Sequence, residues 1–238
     1  YVVIPANTAS AISAGLSNAV GATIEIQSSD VCCTGAYNGT LTVASGFTNS
    51  GTLLLRSYGT VGAGTSRLDI SSGTLTNAVG GVIQAMGNVD SAVVNGQVLN
   101  SGTIQVDRSL TIGNTGLVFD TSTGTVSIAN GMSLSVNAGS TRLGTGSILT
   151  GSGTFNTSNT VDLASNLTLS ATTPVLNFGG ASNAATVNAI TPGTTLTVAS
   201  GKTLTLANDT IGANVNLVNQ GYVVIPANTA SAISAGLS

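Results

Sequence analysis

Phe47-Thr48-Asn49-Ser50-Gly51-Thr52-Leu53 reads apolar–x–Asn–x–Gly–x–apolar. Related forms recur at Leu99-Asn100-Ser101-Gly102-Thr103-Ile104 and Val218-Asn219-Gln220-Gly221-Tyr222-Val223. Looser versions, with a longer gap to the Gly, surround Asn18 and Asn77, so that the spacing shortens step by step along Asn18, Asn49, Asn77 and Asn100. Between them run short alternating pieces such as Leu68–Ile70, Ile104–Val106, Leu110–Ile112, Val126–Ile128, Leu134–Val136, Val161–Leu163 and Leu167–Leu169. A period of two, broken every few residues by Gly, Asn or Ser, is the mark of short strands. Sandwiches and barrels call for fewer and longer strands of about 5–6 residues. Many shorter strands, with turn residues every ~8–10 positions, fit coils stacked on one another. The pattern predicts an all-β fold, a parallel β-solenoid.

Composition agrees. The 238 residues are 42% apolar and 5% charged, with a net charge of −3. Ser, Thr, Asn and Gly make up about half the chain, and Glu and Lys occur once each, as Glu25 and Lys202. β-Branched residues pack well on a pleated surface, whereas helix surfaces are ordinarily filled with Glu and Lys. In a stack of coils each side chain has an equivalent neighbour ~4.8 Å above and below, so charge is disfavoured and Thr, Val, Ile and Asn are favoured. Disordered chains are charged and poor in apolar residues, unlike this one. No run approaches the ~18 apolar residues of a membrane helix, and no basic field exists for gripping nucleic acid.

A second repeat is exact. Tyr1 to Ser17 and Tyr222 to Ser238 both read YVVIPANTASAISAGLS. We read residues 1–221 as one complete solenoid unit and 222–238 as the start of the next identical one, in a tandem array. An engineered overlap, or a window laid across a periodic fibre, remains the alternative. Three strand pieces per coil give about 8 coils of ~28 residues, or about 11 if coils are nearer 20, and an advance of roughly 40–55 Å per unit. The two copies are expected to occupy equivalent places one unit apart.

The Asn–x–Gly pattern, with Leu143-Gly144-Thr145-Gly146-Ser147-Ile148 and Leu149-Thr150-Gly151-Ser152-Gly153-Thr154-Phe155, resembles the repeats of filamentous haemagglutinin-type and autotransporter passenger proteins. The resemblance implies a right-handed parallel β-helix exported to a bacterial cell surface as an adhesin or stalk.

Candidate chemistry is sparse. There is no His, and no dinucleotide, P-loop, zinc-protease or serine-hydrolase motif, so no enzyme, cofactor or metal is expected. Asp69, Asp90 and Asp107, each about one short coil from the next, could stack beside one groove as acids do in β-helical glycosidases, but solvated turn positions are the simpler reading. Thr40/Thr42, Thr74/Thr76, Thr195/Thr197 and Thr203/Thr205 lack the constant spacing of an ice-binding ladder. Tyr37 and Tyr58 are the expected exposed rings. The vicinal Cys32-Cys33 pair fits no zinc spacing. A crosslink to another filament, a vicinal disulfide and two free thiols all remain open, with the pair expected at or beside a corner. The function expected is a structural segment of an extracellular or cell-surface filament, whose partners are adjacent identical repeats and lateral filaments. The alternative is an adhesin that binds a receptor or glycan through the solenoid flank.

Overall fold

Alternation of apolar and small polar residues leaves each short segment one wet face and one face to bury, and stacking coils buries all the latter at once. A computed structural model of the chain describes residues 1–31, 35–62, 64–113, 116–137, 139–157, 160–178 and 185–237. Among these there is no helix, and the chain forms a parallel β-solenoid with three strands per coil. The first face begins with Val2–Ile4, Thr23–Val31, Thr52–Ser57, Val82–Gly87, Thr103–Val106, Thr125–Ile128 and Ile148–Gly151. It resumes with Leu167–Leu169, Thr194–Val198, Val215–Asn219 and Gly236–Leu237. The second face runs from Thr8–Ile12 and Gly39–Val43, through Leu110–Gly113, Ser133–Asn137, Thr154–Thr157, Val175–Phe178 and Thr203–Leu206, to Tyr222–Val224. The third holds Ser17–Asn18, Thr48–Asn49, Val118–Asp120, Ser140–Leu143, Thr160–Leu163, Thr186–Ala189, Thr210–Ile211 and Ala232–Ile233. Two longer strands, Thr65–Asn77 and Ser91–Asn100, bend through the corner between the second and third faces. They join those faces in one bonding network, but no barrel closes, because each coil pairs only with the coils before and after it.

Stacked partners on the first face range from Leu217↔Leu237, the closest in sequence, to Leu53↔Ile83, half as far apart again. Coil length therefore varies, and the extra residues go into corners. Inward positions form unbroken apolar ladders. Ile24, Leu53, Ile83, Ile104 and Val126 follow one another on the first face; Leu41, Leu68, Val94, Ile112 and Val136 do so on the second, all almost fully buried. Burying each such side chain contributes about 1.5–3 kcal/mol, so these ladders supply most of the stability. Phe119 and Phe155 meet edge to face inside, with ring centroids 6.3 Å apart.

The Asn residues of the motif form a second, polar ladder at the corner from the third face to the first. Asn18, Asn49, Asn77 and Asn100 are 0–3% exposed. Each Nδ2 donates to the Oδ1 of the next Asn, at 2.7, 2.7 and 2.8 Å, and Asn100 donates to Thr121 Oγ1 at 2.9 Å. The second amide hydrogen goes to the carbonyl that opens the following first-face strand, at Thr52, Val82, Thr103 and Thr125, 3.0–3.1 Å away. The glycines of the pattern are needed for close approach. A Cβ on Gly51 would stand 2.3 Å from the Ala22 carbonyl oxygen, and one on Gly102 would stand 2.3 Å from that of Gly81.

Register carries this ladder on from Thr121 to Leu143 and Leu163. Leu143 has no amide to hold the opening of the next first-face strand. At that step the first face breaks: Leu167–Leu169 does not pair with Ile148–Gly151, while the second and third faces pair across it. The missing amide alone does not account for the break, because Thr121 has none either and Ile148–Gly151 still pairs with Thr125–Ile128. A cleft of about 210 Å³, lined by Ile148, Leu149, Leu167 and Thr168 among others, opens at the break.

The two seventeen-residue copies do not occupy equivalent places. Val2–Ile4 lies on the first face against Ile24–Ile26, whereas Tyr222–Val224 lies on the second against Thr203–Thr205. Variable coil length explains the difference, since one repeat unit need not make a whole number of turns. Cys32 and Cys33 lie outside the described residues. Val31 and Gly35, on either side of them, close the antiparallel pairing of Thr23–Val31 with Gly35–Tyr37.

Asn77→Leu should therefore be costly despite the natural Leu143. It strands the Asn49 amide, the Asn100 Oδ1 and the Thr103 carbonyl inside the corner, at about 1–3 kcal/mol each. Gly102→Ala should cost about 1–3 kcal/mol through overpacking. Urea midpoints read both, and wild-type values for Asn77→Leu would remove the ladder from its structural role.

Candidate functional site

With no His in the chain, carboxylates are its main acid–base groups. Corner loops place several of them inward, where unpaired backbone N–H groups of a neighbouring coil need acceptors. Asp30 accepts the amides of Thr60, Val61 and Gly62 at 2.6, 2.9 and 2.8 Å, so the loop of the next coil wraps its carboxylate. Asp90, 2% exposed, accepts from Ser57 Oγ at 2.9 Å and from the Gly59 and Gly64 amides at 3.2 and 3.0 Å. Asp209, fully buried, accepts the Ala185 and Ala207 amides at 3.0 and 2.8 Å. Burial pushes the Asp209 carboxyl up, and these two bonds oppose the rise.

Beside Asp90 lies Arg108, only 3% exposed. Its Nη1 donates to the Asp90 carbonyl, and its Nη2 donates to Ser66 Oγ at 2.8 Å and to the Leu55 carbonyl at 3.4 Å. Burial pushes its pKa down to about 10, with the Asp90 charge opposing, so it stays protonated at neutral pH. Asp90 and Arg108 line a surface cleft of about 330 Å³ together with Asn88, Ser91, Thr111 and Met132. Both side chains are bonded to the protein's own groups, with only Arg108 Nε left without a hydrogen bond, and among the described residues no second acid lines the cleft.

Asp69, Asp90 and Asp107 do not form one acidic groove. Asp69 lies on the second face, bonded to Arg67 Nε at 2.8 Å and Asn95 Nδ2 at 2.6 Å. Asp107 points outward at a corner, accepting from Gln84 and Gln105 at 2.7 and 2.8 Å. Of these three, the solvated-turn reading needs correction for Asp90, which is a buried acceptor, while Asp107 is exposed at its corner; Asp30 and Asp209 are buried acceptors as well. The legible signal was the run of loop amides in Gly59-Thr60-Val61-Gly62, which could not all be left unpaired. The Thr pairs are scattered over different faces: Thr40 stacks on Arg67, Thr195 on Asn216 and Thr203 on Tyr222, so these pairs build no flat threonine ladder. No group of three or more His, Cys, Asp or Glu suited to a metal occurs among the described residues.

A third polar centre lies on the first face. Glu25, 2% exposed, accepts from the Tyr1 hydroxyl, from Tyr58 Oη at 3.1 Å and from Gln27 Nε2 at 3.1 Å. Arg56 Nε stands 3.6 Å away, and its guanidinium lies over the Tyr58 ring, 5.8 Å from the centroid. Burial alone would raise the Glu25 carboxyl, but the three hydrogen bonds and the Arg56 charge outweigh it and hold it below the usual carboxylate range. The bond to Glu25 in turn raises the Tyr1 hydroxyl. Tyr58 is 48% exposed, as expected of one of the surface rings, while Tyr37 is half-buried. Chemically, this centre clamps three successive coils.

No protein-family model, curated protein or solved structure matches the chain.

Two measurements follow from these centres. Asp90→Ala removes the acceptor of three donors and should cost about 2–4 kcal/mol, with cleavage at residues 59–64 in limited proteolysis. Cleavage no faster than wild type would show that the carboxylate does not hold this loop. For Glu25, a lowered folded pKa gives stability that is present above the unfolded value of about 4.3 and lost as pH falls through the folded one. For Tyr1, a raised folded pKa gives stability that is present below about 10 and lost as pH rises through the folded value. Glu25→Gln is expected to flatten both limbs of a plot of urea midpoint against pH, leaving the other acids' share of the acid limb. Limbs identical to wild type would refute the coupling.

Proposed function

We propose that this chain is a structural segment of an extracellular or cell-surface filament built from tandem β-solenoid repeats. The observation that carries the reading is the perfect seventeen-residue identity between the segments starting at Tyr1 and Tyr222, within a stack whose buried Asn and Asp side chains bond to its own coils. An enzyme needs reactive groups left free for substrate, and the buried acids here are engaged within the protein, Asp30, Asp90 and Asp209 by loop amides and Glu25 by Tyr1, Tyr58 and Gln27. The role is mechanical. Continuous ladders of hydrogen bonds and apolar side chains run along the axis, so extension has to break many of them together. Val2 and Val3 in the first coil, and Val224, Ile225, Ile233 and Leu237 at the other end, leave apolar strand edges open to a further coil. Surface export rests on the resemblance to haemagglutinin-type repeats.

The adhesin reading draws on the exposed rings of Tyr1 and Tyr58, whose hydroxyls both donate to Glu25. Their hydroxyls are already engaged, which favours the structural reading.

The purified chain is expected to associate end to end as its concentration rises. Electron microscopy should show unbranched filaments, and fibre diffraction a meridional spacing near ~4.8 Å. A species that stays monomeric in sedimentation at all concentrations would remove the filament reading. Glycan binding abolished by Tyr58→Ala would establish the adhesin in its place.

A further inference from the structure

We infer that successive repeat units are related by a screw of about nine and one third coils, so that each unit is turned by one face relative to the unit before it. The inference rests on the tandem-repeat reading above and deepens it by specifying how one copy seats on the next.

The faces taken by the two copies carry the argument. In the first copy Val2–Ile4 is on the first face, Thr8–Ile12 on the second and Ser17–Asn18 on the third. In the second copy Tyr222–Val224 is on the second face, Ala232–Ile233 on the third, and Gly236–Leu237 on the first. Every segment has moved on by one face in the same direction. A cyclic permutation of this kind is what rotation about the solenoid axis produces; a misthreaded copy would scramble the order.

Pleat parity makes the relation stricter. Val2 stacks on the buried Ile24, and its counterpart Val223 stacks on the buried Leu204 and packs against the core. Ile12 stacks on Val43, and its counterpart Ile233 stacks on Ile211. Tyr1 and Tyr222 are 76% and 66% exposed. Val2 and Val223, and Ile12 and Ile233, keep the same parity although the faces differ, whereas Ile4, buried in the first copy, has an exposed counterpart in Ile225 just past the strand end. A slip of one residue would have reversed every side chain. All three faces stack as parallel ladders with apolar residues inward, which lets a strand of the same parity join any of them, although the buried Asn ladder belongs to the corner from the third face to the first alone.

Azimuth then advances with distance along the axis. At ~4.8 Å per coil a unit rises about 45 Å, and a feature returns to the same side only after three units, or about 130 Å. The Tyr1–Glu25–Arg56–Tyr58 centre and the hairpin of Thr23–Val31 with Gly35–Tyr37 would recur on three sides in turn. They would not form a single row every unit length. A second filament of the same chain lying alongside would meet the same unit surface once per three units, and a bundle could bond in three directions.

Disulfide trapping in the full chain tests the phase, in a Cys32→Ser/Cys33→Ser background. Thr205→Cys with Val224→Cys should crosslink on oxidation, because these outward positions are stacked partners. Thr197→Cys with Val224→Cys, the pairing that a whole number of turns would favour, should not. Crosslinking of the second pair, or of neither, overturns the inference. Electron cryomicroscopy of a chain carrying one further copy of residues 1–221 gives the operator itself. A rotation by one face, a third of a turn, is expected. A rotation near zero within an unbroken solenoid overturns the screw while leaving the filament reading intact, whereas two separate solenoids overturn both.

Discussion

The corner from the third face to the first sets where strands begin in the first half of the stack, and the Asn ladder governs that corner. Each buried amide has to satisfy two donors and an acceptor with no water available, and the stack offers one arrangement that does so. The next Asn supplies an oxygen, and the carbonyl opening the next strand supplies another. Net stabilisation per hydrogen bond is modest, about 0.5–1.5 kcal/mol, and the apolar ladders contribute far more. The cost of leaving an amide unpaired is what makes the arrangement specific. A coil that slipped by one residue would turn its Asn out of the ladder, strand the amides of the neighbouring coils and expose the apolar row in the same step.

The point where the ladder ends shows the same constraint from the other side. Thr121 still accepts from Asn100, but Leu143 can neither accept nor donate, and the first-face strand that Leu143 would have held no longer pairs with the one before it. The remaining two faces carry the coil across the step. Seryl and threonyl groups replace the missing amide nearby, with the Thr145 amide bonded to Ser165 Oγ and Thr145 Oγ1 to the Asn166 carbonyl, both at 2.8 Å. Apolar stacking thus maintains the solenoid without the ladder, but with looser control of where each strand begins.

Carboxylates serve the corners in a comparable way. Where coils lengthen, as between Leu53 and Ile83, the extra loop exposes backbone amides that the strands cannot use, and Asp30 and Asp90 collect them. This is a structural use of charge inside a nearly uncharged protein, and it explains why so few acids line any open groove. Lys202 acts similarly from the cationic side. Its Nζ donates to the Thr173 and Pro174 carbonyls of the preceding coil, and burial lowers its pKa.

The strands, their parity and the Asn corners were legible in the sequence, because alternation and the Asn–x–Gly spacing are local and report directly on which side of the chain is buried. Asn18, Asn49, Asn77 and Asn100 stand in register as their spacing suggested, and the short apolar pieces became the inward ladders. The number of residues in each coil was not legible, since corner loops absorb a variable length without disturbing the strand pattern. From that came the two surprises. Asp90, which read as a wet turn position, was turned inward onto a loop of a neighbouring coil, a contact made across a full coil of chain. Identical segments fell on different faces, because a strand's sequence specifies its inward side but not which of three equivalent faces it joins. That choice depends on the summed length of all the coils before it, and only the assembled stack decides it.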